Sequence, residues 1–503
     1  MGSAPDKRQS SLALDATTFR TLGHRLVDQL AELLESVPAR PVTHDESPSA
    51  VRQALDLDGP LPEQGTDPGP LLEQTTRLLF DHSLINGHPR FFGYITASPA
   101  PIGILGDFLA SAVNANVGAW TLSPGATEIE SQTVRWIAEL IGYPTSCGGL
   151  LVSGGNMANF VCFLAARTAQ ADWDVRTDGV SGSRSPRLRV YCSTEAHTWI
   201  QKAADLAGCG TASIRWIPTG GNLRLDVAAL RRQIESDLAA RDVPFMVVGT
   251  AGSVSTGAVD PLLDIAAVCK EHRLWFHVDG AYGAIAAASP EAPDELRRLS
   301  IADSVAVDPH KWLYAPLEAG CALVRDPEKL RQAFAYHPPY YHFEERATNY
   351  VDYGPQNSRG FRALKVWLAL RQVGAIGYRR TISDDIRLSR AMAEAIAEHP
   401  DLEVVTQDLS ITTFRYVPAD LRARLGEAAV AEYLDTLNRD VLDRIQRGGE
   451  AFISNAVIGG RYVLRACIVN FNTTRADVEA VPEIVARVGR ARDSQSRPAA
   501  VRS

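Results

Sequence analysis

The sequence predicts an α/β protein: a large domain built on a mainly parallel sheet, a smaller α+β domain after it, and a helical appendage in front. Three observations predict this. Between about residues 100 and 330 helical stretches alternate with short apolar, β-rich runs; after a long helix expected at 360–399 the texture changes; and residues 16–36 carry one amphipathic helix.

In chain order, ATTFRTLGHRLVDQLAELLES (16–36) places Phe19, Leu22, Leu26, Leu30 and Leu33 at helical spacing, giving an apolar face that has to pack on something. Residues 37–70, with LDGPLPEQGTDPGP, read as an extended connection, and a second helix is expected near 70–84. The strand candidates of the large domain are LLVSGG (150–155), RLRVYCS (187–193), PFMVVGTAG (244–252), LWFHVDGA (274–281), SVAVD (304–308) and GCALVRD (320–326). Strands of this kind separated by helices form a parallel sheet covered on both faces. EVVTQ, SITTFRYV and RYVLRACIVN supply strands for the smaller domain. The expected boundaries are 1–87 for the appendage, 88–385 for the large domain, 386–491 for the small domain and 492–503 for a disordered tail.

The bulk numbers narrow the function classes. With 503 residues, 45% hydrophobic and 22% charged, the chain can bury a large core. A formal net charge of -8 without a long basic run gives no support to nucleic acid or an anionic membrane surface as partner, so a small-molecule substrate is expected. Seven scattered cysteines without CxxC spacing indicate neither a disulfide framework nor a zinc site, and no metal is expected. The start MGSAPDKRQSSLALD has no apolar leader core, and no stretch approaches the roughly 18 apolar residues of a membrane span. A cytoplasmic protein is the expectation.

Ligands of open α/β sheets bind beyond the C-terminal ends of the strands, and four segments there carry chemistry. LLVSGGNMANF (150–160) turns from strand to helix through Ser153, Gly154, Gly155 and Asn156: a phosphate site at a helix N-terminus, or simply a turn with an Asn cap. STEAHTW (193–199) offers His197, which either caps the next helix or stacks on a flat electron-poor ring. LWFHVDGAYGA (274–284) sets Asp279 after an apolar run, where an ionised carboxylate needs a partner; it either caps the next turn or faces a ligand over the small Gly280 and Ala281. VDPHKWLYAP (307–316) brings Lys311, either a solvated loop charge or a desolvated amine able to form a Schiff base. Jointly these four describe one ligand, pyridoxal 5'-phosphate, with the acid holding the ring nitrogen protonated.

The same motifs carry a family resemblance. HVDGAYGA followed about thirty residues later by PHKW, with SGGNMAN and EAHTW upstream, resembles the group II pyridoxal-phosphate-dependent amino acid decarboxylases, which include the aromatic-L-amino-acid and glutamate decarboxylases. The likeness runs through HPRFFGYITASPAP (88–101), GAWTLSPGATEIE (118–130), GFRALKVWLALRQVG (360–374) and RYVLRACIVN (461–470). It implies the fold type I transferase architecture with a seven-stranded sheet, and a homodimer with the active site at the interface and the N-terminal appendage packed across it. It further implies that Lys311 holds the cofactor covalently, Asp279 pairs with the ring nitrogen, His197 stacks on one ring face and Ala281 supports the other. Gly155, Asn156, His310 and Asp308 are expected around the phosphate end, and Arg465 at the substrate carboxylate unless it serves an internal ion pair. Tyr94, Ala97, Gly118 and Trp120 are expected to line the substrate. By position in the loop YHPPYYHFEERATNYVDYG (336–354), Tyr350 is expected to protonate the α-carbon from across the dimer, with Tyr353 as competitor.

This chain departs from the family pattern in places. Asp308 stands where aromatic decarboxylases often have asparagine, and Val254 where a threonine near the phosphate can occur. Asn86, Ile95, Asn116 and Gly118 replace bulkier or more aromatic wall residues. The expected activity is therefore decarboxylation of an L-amino acid, aromatic by resemblance. Oxidative aldehyde synthesis, a non-aromatic substrate and a non-catalytic cofactor-binding protein are the alternatives, and a tyrosine rather than phenylalanine at 350 argues for simple decarboxylation.

Overall fold

Seven strands make the large sheet: β1 Gly148–Val152, β2 Leu188–Ser193, β3 Ile214–Ile217, β4 Val243–Thr250, β5 Trp275–Asp279, β6 Ser304–Val307 and β7 Gly320–Val324. Their order is β1-β7-β6-β5-β4-β2-β3. This comes from a computed structural model that describes residues 10–180, 187–337 and 347–502. Only β7 runs against its neighbours, and because it is antiparallel to both β1 and β6, β1 points the same way as the parallel set. The C-terminal ends of β1, β2, β4, β5 and β6 therefore open on one edge. β1, β2, β5, β6 and β7 are buried throughout, which is why they read as continuous apolar runs. Phe276, Val278 and Val305 face one core with Ile137 and Leu262, while Val190, Val248 and Ala306 face the other with Phe163 and Trp199. The edge strand β3 escapes sequence reading: only Ile214 and Ile217 of its four residues are buried, and Arg215 is turned to an ion pair with Asp237.

The second sheet is wholly antiparallel, in the order β10-β11-β9-β8, from β8 Leu402–Asp408, β9 Ile411–Tyr416, β10 Ser454–Ile458 and β11 Arg461–Cys467. Helix Ala363–Glu398 leads into it, interrupted at Gly374, whose φ of 67° is left-handed and suits glycine. Two expected boundaries change. Phe92, assigned by sequence to the large domain, is buried in the small-domain core with Phe414 and Leu464, and its N–H donates to the Phe452 carbonyl. The expected disordered tail from 492 is instead ordered: helix Arg475–Ser496 runs into it, and Val501 is 2% exposed with its carbonyl accepting from Arg424.

Helix Ala16–Ser36 forms as its spacing predicts, started by the Asp15 carboxylate accepting from Thr17 and Thr18 N–H. It buries no residue within the chain, and Phe19 stays 55% exposed. Helix Pro101–Val113 is similarly bare along Leu105, Phe108, Leu109 and Val113. Residues 37–70 are less extended than expected, since Pro48–Ala54 is helical behind a Ser47 cap. Among the described residues no helix is long and apolar enough to cross a membrane.

Candidate active site

Asp279 ends β5, and the structure surrounds it with donors. Its Oδ2 accepts from the Trp199 indole N–H at 2.6 Å, and its Oδ1 from Asn159 Nδ2 and the Ala281 backbone N–H, each at 3.2 Å. A buried carboxylate is tolerable when hydrogen-bonded in this way. Sequence reasoning quoted the stretches holding Asn159 and Trp199 without selecting either residue. The available signal was a polar Asn on the inward face of a helix whose neighbours Val161 and Cys162 are fully buried.

Lys311 lies in the turn after β6, its N–H bonded to the Asp308 carbonyl and its Nζ 3.0 Å from Asp308 Oδ2. Asp308 is buried, and its other oxygen, Oδ1, has no hydrogen-bond partner among the described residues. The neighbouring His310 sends its Nδ1–H to the Ala319 carbonyl at 2.7 Å, and burial lowers its pKa, with Asp308 opposing.

Helix Gly155–Gln170 begins at the same edge, after Gly154 with φ 89°. A Cβ on Gly155 would stand 2.5 Å from Asp308 Oδ2 and 2.9 Å from the Ala281 Cβ, so only glycine leaves this helix start open. That single position touches the lysine loop and the β5 loop together. Asn156 follows it, exposed. His197 opens toward the mouth of this edge. Its Nδ1 accepts from Trp199 N–H, and its pKa is lowered by desolvation and by Lys311 while Asp279 and Asp308 oppose. Lys311, Asp279, Asp308, His197, Gly155 and Ala281 are thus one cluster.

Arg465, on β11, reaches the site from the small domain. Its Nε donates to the Val254 carbonyl at 2.8 Å, its Nη1 to the Tyr94 carbonyl at 2.9 Å and to Ser454 Oγ at 3.2 Å, while Nη2 is buried without a partner among the described residues. The internal ion pair allowed by sequence is not formed among the described residues. Cys467, two residues along β11, feels the positive charge of both Arg465 and Lys311. Val254 therefore acts through its backbone. Tyr94, at φ 54°, presents an exposed ring near Phe452, and Ala97 is buried in the large core.

Two expected wall residues are held by neighbouring segments. Trp120 N–H bonds Asn349 and its indole bonds Glu128, and Gly118 is closed in by the Asn357 carbonyl, 2.3 Å from where a Cβ would be. Asn116 accepts from Gly118 and Arg359 N–H. Tyr350 requires a correction. It is 1% exposed, its ring lies under the Arg359 guanidinium at 4.7 Å, and Arg359 is in turn locked to Glu130 and the Leu151 carbonyl inside the large domain. The structure thus holds Tyr350 in the core of its own chain rather than in an open loop. Tyr353 is half-buried edge-on to it, and residues 338–346 of the same loop lie outside the described residues.

The geometry fits pyridoxal phosphate on the chain's own terms: an open helix start, a lysine beside it, a carboxylate at the far strand end and two orphaned buried polar atoms, Asp308 Oδ1 and Arg465 Nη2. Among the described residues no group of three or more His, Cys, Asp or Glu is placed to hold a metal ion. Fold and site together define a pyridoxal-phosphate enzyme acting on an amino acid.

The comparisons with known proteins carry this to a family. The model of the pyridoxal-dependent decarboxylase conserved domain matches residues 48–417, and the chain belongs to that family. It is 33% identical to an aromatic-L-amino-acid decarboxylase of Bacillus atrophaeus over 93% of this chain and 95% of that one. It is 31% identical to tryptophan decarboxylase 1 of Oryza sativa subsp. japonica, over 90% of each. The crystal structure of Oryza sativa TDC with PLP and tryptamine superposes with a TM-score of 0.88 at 29% identity, covering 96% of this chain and 99% of that one. The protein is a fold type I, pyridoxal-phosphate-dependent amino acid decarboxylase.

Proposed function

We propose that this enzyme removes the carboxylate of an aromatic L-amino acid as carbon dioxide and releases the amine, with Lys311 anchoring the cofactor and Asp279 pairing with its ring nitrogen. The observation that carries the site is Asp279 itself, a buried carboxylate aimed by three donors at the end of β5, beside the Lys311 loop and the open start at Gly155. When bound, the cofactor supplies an electron sink for the charge left on the substrate α-carbon.

The chain's residues do the rest. Gly155 N–H, Asn156 and His310 hold the phosphate end at a helix N-terminus, and Asp308 sets the Lys311 amine beside it. His197 and Ala281 cover the two ring faces. Arg465, with three fixed hydrogen bonds and Nη2 left to donate, receives the substrate carboxylate on a guanidinium that does not have to reorganise. Tyr94, Ala97, Gly118 and Trp120 wall the side chain, with Asn86, Ile95 and Asn116 keeping that wall open and polar. The aromatic preference is supported by the names of the matched relatives. The bare apolar faces of helices Ala16–Ser36 and Pro101–Val113 support a homodimer.

Because Tyr350 is buried, the tyrosine argument against aldehyde synthesis no longer stands on that residue. The test is to incubate the cofactor-loaded enzyme with a panel of L-amino acids and identify products by mass spectrometry while assaying hydrogen peroxide. Amine without peroxide from an aromatic amino acid is the expected result. Aldehyde with peroxide would give the oxidative reading, and amine only from acidic amino acids would overturn the substrate class.

A further inference from the structure

Behind Asp279 runs a buried line of polar groups. Trp275 Nε1 stands 2.8 Å from Ser304 Oγ, Ser304 Oγ 2.8 Å from His277 Nδ1, His277 Nε2 2.7 Å from Asn159 Oδ1, and Asn159 Nδ2 3.2 Å from Asp279 Oδ1. His277 and Ser304 have no exposed surface and Asn159 almost none. Such groups satisfy each other or carry a full desolvation cost.

The direction of every proton in the line follows from its two ends. An indole N–H only donates, so Trp275 gives to Ser304. At the other end Asp279 Oδ1 also accepts the Ala281 N–H, so it is an acceptor and Asn159 presents its amide nitrogen there. Asn159 then offers its carbonyl oxygen to His277, which requires the proton on Nε2. Nδ1 of a neutral ring with that tautomer accepts, and the Ser304 hydroxyl points to it. Burial keeps the ring neutral, lowering the His277 pKa to about 4 although Asp279 pulls the other way. Trp199 donates to Oδ2 from the opposite side and packs edge-on to His277 at 5.7 Å.

We propose that Trp275, Ser304, His277 and Asn159 form a one-way chain of donors that, together with Trp199, aims the Asp279 carboxylate, which makes Asn159 and Trp199 positioning residues for the cofactor's ring nitrogen. Oδ2 keeps one acceptor direction after Trp199 has taken the other, and the chain fixes which way that direction points. This rests on the assignment of Asp279 to the ring nitrogen. Asn159, His277 and Trp199 touch the cofactor only through Asp279, and their effect is on ring placement rather than on the phosphate end.

Two measurements on the full chain test it. In the cofactor-free protein with 15N-labelled histidine, His277 is expected as the neutral Nε2–H tautomer at neutral pH; an Nδ1–H or doubly protonated ring would overturn the chain. In the second, pyridoxal phosphate and inorganic phosphate are titrated separately into the parent and into Asn159→Leu, Trp199→Phe and Asp279→Asn. Loss of a hydrogen bond to a charged group predicts roughly tenfold or greater weakening for pyridoxal phosphate in the first two variants. Inorganic phosphate should bind each as it binds the parent, which also reports that the variant is folded. Equal weakening for both probes would mean a merely structural role and sink the proposal. If Asp279→Asn alone weakens pyridoxal phosphate, only the chain's role fails; if Asp279→Asn changes nothing, the placement of the ring fails and takes the chain with it.

Discussion

Lys311 and Asp308 stand one turn apart in the loop after β6, with Nζ 3.0 Å from Oδ2, and the carboxylate is 3% exposed. The pair arms the site and also holds the loop, because removing one member strands the other. Lys311→Ala is expected to abolish the visible absorbance of bound cofactor. It should also cost about 2 kcal/mol of stability, the buried-pair penalty discounted for a partly exposed lysine. Asp308→Asn on top of it should restore most of that loss in a denaturant titration, while a strictly additive double variant would show that the pair is not coupled.

The same loop is tied down further along. Trp312 Nε1 and Tyr314 Oη both donate to Asp385 Oδ2, at 2.8 and 2.7 Å, inside helix Ala363–Glu398. Burial raises the Asp385 pKa from 3.8 to about 7. The folded chain thus keeps a proton that the unfolded chain has released, and the stability linked to it is complete below pH 4 and lost as pH rises through 7. At about 1.4 kcal/mol per pH unit, the parent should lose roughly 2 kcal/mol relative to Asp385→Asn between pH 5 and 7.5. Parallel pH profiles of melting for the two proteins would contradict this.

Arg465 reaches its position through two backbone carbonyls and Ser454. Arg465→Met is expected to raise KM for the amino acid about a hundredfold while the bound cofactor keeps its spectrum, since a charge-assisted contact through Nη2 is lost. Arg465→Lys should recover little, because an ammonium cannot bond Val254, Tyr94 and a carboxylate in one plane.

Tyr350 lies under Arg359 in the large-domain core. Tyr350→Phe keeps the ring there and should leave kcat within about twofold of the parent, with a stability change near 1 kcal/mol or less. A loss of several orders of magnitude in kcat would restore the tyrosine to the chemistry.

Phe19 and Phe108 are 55% and 50% exposed on helices Ala16–Ser36 and Pro101–Val113. Charges placed there, Phe19→Asp with Phe108→Asp, are expected to shift sedimentation from dimer to monomer at micromolar concentration and to lower cofactor affinity with it. Unchanged sedimentation would mean that these faces do not form a dimer interface.

What the sequence determined by itself was whatever depends on local pattern. Buried strands such as β4 and β5 are continuous apolar runs, the Ala16–Ser36 helix shows its period, and the residue types at Asp279, Lys311 and Gly155 announce a chemistry by the cost of having them there. Elements governed by position in the sheet were not legible: β3 and β10 are edge strands whose side chains alternate or turn outward, so neither carries a strong run.

Only the tertiary structure decided partnerships between residues far apart in the chain. It showed that Asn159 and Trp199, 120 and 80 positions from Asp279, complete the carboxylate's shell, and that Arg465 meets backbone carbonyls instead of an acid. It also placed Tyr350 in the core, because the Arg359–Glu130 pair draws that segment inward, a long-range contact that no spacing along the loop encodes. Local pattern fixes which groups need partners; the packing of distant elements chooses which partners they get.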